Sequence, residues 1–367
     1  MRELKVTDSE KGQRFDKYLK RKLSAAPASF IYKMLRKKNI TLNGKKAAGS
    51  ELLQAGDAVA LYLSEETFAL FSGAAEAGST EKTTAARPAE THGASACLQA
   101  YRSIGSRYHG SPVLYEDGDI MLVCKLPGIL SQKAEADDES MNEWLLGCLL
   151  ERGEITAESM REFRPSVVNR LDRNTGGILI MGKTLSGSRE MTRLLRTREL
   201  HKFYCLVAGG RIEAPGTIEG WIKKDEETNR VIQTDRNDPQ AAYSKTVYKP
   251  LVKGSALTLV EAELITGRTH QLRAHFALQG WPVAGDRKYG DPKLNRAMAD
   301  AFGVRDQMLW CTRVVFPAMS GEWERLSGRE FLCGAPEVYE RAVKEYGNVE
   351  FQGTSRVHAG RAHQSHK

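Results

Sequence analysis

Three short segments hold the residues best suited to chemistry. The densest, residues 168–177, reads VNRLDRNTGG and runs into an apolar stretch at 178–181. Arg170 and Asp172 stand two apart, so an extended backbone puts both on one face. An aspartate flanked by arginines is favoured as the carboxylate, which suits a nucleophile or an electrostatic stabiliser. A structural Arg–Asp ion pair at a loop fits the same composition. Gly176 and Gly177 permit a close backbone approach or an unusual turn beside it.

The second segment, residues 266–275, reads TGRTHQLRAH. Gly267 ends an apolar strand and a polar cluster opens the next helix. Helix N-termini favour anions, so Arg268 and Arg273 could meet a phosphate or a carboxylate there. His270 and His275 are five apart with no Glu between them, a poor arrangement for a helical metal pair, and structural hydrogen bonding suits them better. The third segment, KFYCLV at 202–207, puts Lys202, Tyr204 and Leu206 on one face of a strand. Tyr204 there is either a core tyrosine or an aromatic that stacks on a base.

These segments need elements to position them. Upstream, Phe15, Leu19 and Leu23 recur four apart over residues 14–23, a helical face. Ser29 is placed to cap a second helix through residue 38, with Phe30, Ile31, Met34 and Leu35 as its apolar arc. Ile40 and Leu42 alternate into the Asn43-Gly44 turn, a hairpin signal, and Val59, Leu61 and Leu63 alternate as a further strand. In residues 72–96, 18 of 25 are Gly, Ala, Ser or Thr. Such a stretch buries too little apolar surface to offset its ordering entropy and is expected to be a flexible linker. A hairpin at 113–115 and 120–124, a helix around Trp144 and Cys148, strands near 177–182, 202–208, 243–251 and 256–265, and helices near 186–197 and 270–279 follow. Strands outnumber helices without regular alternation, so the fold class is α+β with a largely antiparallel sheet. The expected division is a small basic domain at 1–63, a linker at 64–110, a catalytic domain at 111–345 and a disordered tail at 346–367.

Charge separates these parts. Residues 1–63 carry 14 Lys or Arg against 6 Asp or Glu, which equals the net +8 of the whole chain. A basic excess confined to one end points to a polyanion-binding module beside a neutral body; a solvated basic face is the plainer alternative. The six cysteines (97, 124, 148, 205, 311 and 333) have neither zinc-site nor secreted-framework spacing, which fits reduced, buried thiols. No apolar run suits a signal peptide or a membrane-spanning helix, so a cytoplasmic protein is expected. No P-loop or dinucleotide fingerprint is present.

The segments occur in the order and character of the RluA family of pseudouridine synthases, which modify ribosomal or transfer RNA. NRLDRNTGGILI resembles that family's H-R-L-D-x-x-T-S-G-L-L motif, and KFYCLVAG its K-x-Y-x-A-x-V strand. LITGRTHQLRAHFALQGWPVAGDRKYG resembles its G-R-T-H-Q-I-R-x-H … P-(I/V)-x-G-D-x-x-Y-G segment, and VLYEDGDIMLVCKLPGI its opening motif. The resemblance spans about residues 113–290. Asn169 stands where the family often has His, Gly176 where it often has Ser, Leu126 in place of Pro and Leu206 in place of Ala. The N-terminal unit, through RFDKYL, ITLNGKKA and LQAGDAVAL, is similar to the small RNA-binding domain first seen in a small-subunit ribosomal protein.

The resemblance implies an isomerase that needs no metal and no cofactor, acting as a monomer on RNA, with large-subunit ribosomal RNA the favoured substrate. It implies Asp172 as the residue that starts the reaction and Tyr204 as the aromatic that stacks on the base and helps remove the carbon-5 proton. Arg273 is implied as the partner of Asp172, with Arg268 the weaker candidate, and Arg170 would fill the space of a flipped nucleotide. A non-catalytic relative would be expected to lack Asp172, and a synthetase or methyltransferase would need cofactor signatures. Lys33, Arg36, Lys37, Lys45 and Lys46 are the expected RNA-binding cations of the N-terminal module. Replacing all five by Gln should flatten the log–log salt dependence of RNA binding by about 3.5, at roughly 0.7 per single-stranded phosphate contact. Titrations at several salt concentrations check this, and an unchanged slope would leave the module a solvated surface.

Overall fold

The computed structural model describes residues 2–72 and 88–346, apart from residues 8, 9, 25, 136, 226 and 229. The N-terminal unit comprises β1 (Arg2–Lys5), α1 (Phe15–Lys22), α2 (Ala28–Arg36), β2 (Ile40–Leu42), β3 (Lys45–Lys46), β4 (Ala58–Leu61) and α3 (Glu65–Ser72). Its sheet has the order β1-β4-β2-β3, and Phe15, Leu19, Ile31, Leu35 and Val59 make its core. Asn43 and Gly44 both take positive φ (50° and 72°), the geometry of a two-residue hairpin turn whose twist matches its strands. Two expectations change here. Ser29 is not the cap: the N-cap is Pro27, two residues earlier, whose fixed φ of −65° sets up the helix entry. The unit also extends past residue 63, because Phe68 of α3 joins its core and Phe71 packs on Phe30 at 4.4 Å between ring centroids.

The region expected to be a linker contains a second helix, α4 (Pro88–Gly105); residues 73–87 lie outside the described residues. Composition concealed a spacing signal. Cys97, Ala100 and Ile104 recur three and four apart and are all buried. They lie against α5 (Met141–Glu151), where Tyr101 meets Trp144 at 5.9 Å between rings. Gly147 makes the approach possible, since a Cβ there would fall 2.1 Å from the Cys97 carbonyl oxygen. Tertiary packing thus overrides the weak intrinsic propensity of this stretch.

The body is an eleven-stranded sheet. Its strands are β5 (Val113–Glu116), β6 (Ile120–Lys125), β7 (Ser166–Val167), β8 (Gly176–Gly182), β9 (His201–Gly209), β10 (Gly216–Asp225), β11 (Arg230–Thr234), β12 (Ala242–Lys253), β13 (Leu257–Leu264), β14 (Leu309–Val315) and β15 (Glu330–Leu332). The main path runs β11-β10-β12-β13-β9-β14-β8-β6-β5, with β15 beside β14 and β7 beside β8. Every pairing is antiparallel except β14 with β8, so the fold is α+β with a mostly antiparallel sheet. Helices α6 (Ser159–Glu162), α7 (Leu185–Thr197), α8 (Gln271–Leu278), α9 (Pro292–Phe302) and α10 (Val338–Tyr346) complete it. The tail beyond 346, with His358, His363 and His366, lies outside the described residues. No helix among the described residues is long and apolar enough to cross a membrane.

The cysteine expectation needs one correction. Cys124 and Cys333 form a disulfide with Cα atoms 6.4 Å apart, while Cys97, Cys148, Cys205 and Cys311 are free and buried. The bonded pair is 209 residues apart in sequence. Only the folded sheet, which stacks Phe331 of β15 on Tyr115 of β5, brings the two together.

Two glycine substitutions should move stability in opposite directions. Gly147→Ala forces a methyl into the α4–α5 contact and should cost about 1–3 kcal/mol. Gly93→Ala meets open space within α4 and should gain about 0.5–1 kcal/mol. Urea unfolding of the full chain measures both, and equal effects would mean that α4 does not pack on α5.

Candidate active site

Asp172 sits in the irregular segment between β7 and β8, and its neighbours hold that segment from several sides. Ser131 Oγ donates to the Leu171 carbonyl at 2.8 Å and accepts from the Leu171 N–H at 3.0 Å. The Thr175 N–H closes a turn onto the Asp172 carbonyl at 3.0 Å. Lys125, at the end of β6, has no exposed surface and donates to the carbonyls of Ile129 (2.8 Å), Arg173 (2.9 Å) and Leu126 (3.1 Å). Three carbonyls take all three ammonium protons, where a neutral amine could serve only two. Burial pulls the Lys125 pKa down to about 7, opposed by the nearby Asp172 carboxylate. The following glycines are needed because β14 runs so close. A Cβ at Gly176 would lie 2.2 Å from the Trp310 ring, and Gly177, at φ 106°, would strike the Cys311 carbonyl at the same distance.

From the other side comes α8. His270 takes a left-handed conformation (φ 50°) just before it, and Gln271 Oε1 accepts from Thr266 Oγ1 at 2.7 Å and the Arg268 N–H at 3.1 Å. Arg273, one turn in, points back across the cleft. Its Nη1 donates to Asp172 Oδ2 at 2.9 Å, while Nε and Nη2 make a two-pronged contact with Asp286 at 2.6 and 2.8 Å. Asp286 is wholly buried and also accepts the N–H groups of Lys288 and Tyr289. Burial alone would push the Asp286 carboxyl up, but Arg273 outweighs it and holds the acid below its usual range. His270 Nε2 lies 4.0 Å from Asp172 Oδ2, and its Nδ1 meets Tyr289 Oη at 3.0 Å. Burial lowers the His270 pKa, with Asp172 opposing.

A cleft of about 1120 Å³ opens over this centre, lined by Arg170, Asp172, Tyr204, Arg268 and Arg273 among others. Its lining includes eight Lys or Arg and a single carboxylate, Asp172. The body is balanced in total, yet its cleft is strongly basic. Arg170 is exposed at the rim. Arg268 is also exposed and turns its Nε to the Tyr243 carbonyl at 3.2 Å, so it is not the partner of Asp172. Tyr204, on β9, is 5% exposed. Burial, then Cys311 and Asp172, pushes its phenol well above the ordinary value, so it reaches the cleft as a neutral phenol and not as a phenolate. His275 is structural: its two ring nitrogens meet Ser244 Oγ at 2.8 Å and Thr246 Oγ1 at 3.0 Å. Among the described residues no group of three or more His, Cys, Asp or Glu is placed to hold a metal ion. Lys33, Arg36, Lys37, Lys45 and Lys46 lie outside this cleft, all exposed on the N-terminal unit. Sequence reasoning assigned no role to Asp286 or Lys125, since no local pattern says which residue each one touches.

The family model for RNA pseudouridylate synthases matches residues 119–278, which include Asp172, Tyr204 and Arg273. The chain is 27% identical over 316 residues to ribosomal large subunit pseudouridine synthase C of Vibrio cholerae, covering 85% of this chain and 87% of that one. It is 28% identical over 308 residues to the protein of the same name from Escherichia coli K12, covering 81% and 82%. These matches support a pseudouridine synthase of the RluA family. The fold agrees with that of human RNA pseudouridylate synthase domain-containing protein 4, at TM-score 0.52 and 18% identity over 68% of this chain and 95% of the other. As a pseudouridine synthase, the protein is an isomerase that acts on uridine in RNA.

The two aspartates on Arg273 should respond differently to amidation. Asp286→Asn leaves a buried guanidinium short of its counter-charge and should cost about 3–5 kcal/mol. Asp172→Asn still offers Arg273 an amide oxygen at a partly exposed position and should stay within about 1 kcal/mol of the parent. Denaturant unfolding of both variants measures the difference; equal losses would mean that Asp286 is not the anchor.

Proposed function

We propose that this pseudouridine synthase acts as a monomer in the cytoplasm, converting uridines of large-subunit ribosomal RNA with Asp172 as its catalytic residue. The observation that carries the reading is Asp172 at the floor of a basic cleft, 2.9 Å from an arginine that a buried aspartate holds in place. The relatives' printed names supply the ribosomal substrate.

A uridine in structured RNA must leave its stack before the glycosidic bond is accessible, at a cost of a few kcal/mol. Arg170 at the rim fills the vacated space. Asp172 then either bonds to the anomeric carbon or promotes loss of the 2′ proton to give a glycal. In both routes the C1′–N1 bond breaks and its electron pair leaves with the base, so uracil departs as an anion. The base turns and C5 bonds to C1′. The route then reverses at the sugar, either by release of the carboxylate or by return of the 2′ proton. Finally C5 loses its proton while N1 gains one, which leaves the composition unchanged. Tyr204 stacks on the base and, being a neutral phenol, relays the C5 proton as it passes its own on. Lys33, Arg36, Lys37, Lys45 and Lys46 attract the phosphate backbone from the N-terminal unit.

Asp172→Asn should abolish conversion of a large-subunit ribosomal RNA transcript while RNA affinity is kept. Tyr204→Phe should bind equally well and slow the single-turnover rate by about 10²-fold or more. Mapping pseudouridines in the transcript after incubation with each variant tests both. Conversion by Asp172→Asn would remove this residue from the chemistry, and an unchanged rate for Tyr204→Phe would leave the ring as packing alone.

A further inference from the structure

The cations lining the cleft differ in depth. Arg170, Arg173, Arg196, Arg198 and Arg268 are all exposed. Lys202 is recessed. It lies at the start of β9, two residues before Tyr204 and on the same face, about 6.6 Å along the strand. Among the described residues Lys202 has no carboxylate partner and no hydrogen bond, which is unusual for an ammonium shielded this far from water. The group that attracts it is the Cys311 thiol, but burial pushes that thiol up to about 11, so it is no counter-ion at neutral pH. Burial also lowers the Lys202 pKa. Gly267 borders the lysine, since a Cβ there would lie in ordinary van der Waals contact, 3.7 Å from Lys202 Nζ.

We infer that Lys202 is a further catalytic residue of the isomerisation, donating to a ring carbonyl oxygen of the departing uracil and stabilising the negative charge it acquires. The inference rests on the reaction proposed above and holds for both routes, because each breaks C1′–N1 with the electron pair going to the base and delocalising onto O2 and O4. Arg273 already spends one proton of each guanidinium nitrogen on Asp172 and Asp286. Lys125 spends its three protons on backbone carbonyls. Lys202 alone combines a free ammonium, a recessed position and the face that carries Tyr204. A cation waiting where charge develops is worth more in the transition state than in the ground state.

The test compares the full chain with Lys202→Met, Lys202→Gln and Lys202→Arg on an unmodified large-subunit ribosomal RNA transcript, made once with uridine and once with 5-fluorouridine. Fluorine at C5 withdraws electrons, so the fluorinated base carries its own negative charge more easily. With uridine, Lys202→Met and Lys202→Gln should lower the saturating single-turnover rate of glycosidic cleavage by about 10²–10³-fold, with RNA affinity changed less than about threefold. With 5-fluorouridine the deficit should shrink below about tenfold, and Lys202→Arg should recover part of the rate on uridine. Equal deficits on both transcripts would overturn the inference in favour of a structural lysine. A loss confined to affinity, with a shallower salt slope, would overturn it in favour of a phosphate contact. Asp172→Asn on the uridine transcript separates the two readings. If it is inactive while Lys202→Met matches the parent, only the lysine's role falls; if the parent itself converts nothing, the proposed substrate falls.

Discussion

The site depends on one buried ionic chain, Asp286–Arg273–Asp172. A guanidinium nine-tenths shielded from water is stable only with its charge matched and its protons placed. The two carboxylates do this unequally. Asp286 is wholly buried and accepts Nε and Nη2 of the arginine, with the backbone N–H groups of Lys288 and Tyr289 also on its Oδ1. Asp172 accepts one arm and is 28% exposed at its side chain. The anchor therefore holds the arginine, and the arginine presents a positive edge to the carboxylate that faces the cleft. In the proposed reaction this division would let Asp172 change its bonding without unseating Arg273.

That chain constrains the fold around it. Arg273 must sit one turn into a helix that starts where β13 ends, so residues 265–270 make a tight reversal with His270 in the left-handed region. Residues 285–290 must return to the same helix, and Gly290 N–H and Asn295 Nδ2 both bond the Asp286 carbonyl at 2.8 Å. On the opposite wall, Lys125 ties the Asp172 segment to the end of β6. The single parallel pairing, β14 with β8, admits no side chain at Gly176 or Gly177. The aspartate is thus fixed by β8 and its neighbours and the arginine by the helix that follows β13, and both line the cleft.

Much of this was legible because the residues concerned carry local signals. The strands around 176–182 and 201–209 are apolar runs, the Asn43-Gly44 turn has the residues its backbone demands, and the Asp172 and Arg273 segments are dense in groups that do chemistry. What escaped was of another kind. Strands β10 and β11 bury few side chains, so they alternate weakly. β1 is exposed at three of its four residues and exists because β4 pairs with it. Helix α4 was hidden by a composition that suits linkers, although Cys97, Ala100 and Ile104 carried its periodicity. Asp286 and the Cys124–Cys333 pair have no local signature, because what defines each is a partner chosen by the tertiary fold.

Charge shows the same separation between local and global reading. The excess at the N-terminus is visible as a count, and its cations, Lys33, Arg36, Lys37, Lys45 and Lys46 among them, stand on the surface where a count is a fair guide. The catalytic body sums to zero, which suggests indifference to a polyanion. Its carboxylates are spent elsewhere: Glu116, Glu143, Asp117, Glu190 and Glu261 all face cations away from the cleft. Within the cleft Asp172 stands alone among eight cations. A concave wall of one sign focuses its field on the space it encloses, so the attraction a polyanion feels is set by this arrangement and not by the net charge. Depth then divides the labour. Exposed guanidinium groups, weakly hydrated and always charged, suit phosphates passing at the rim. A recessed ammonium has already lost part of its hydration, so it responds most to charge that appears beside it during the reaction.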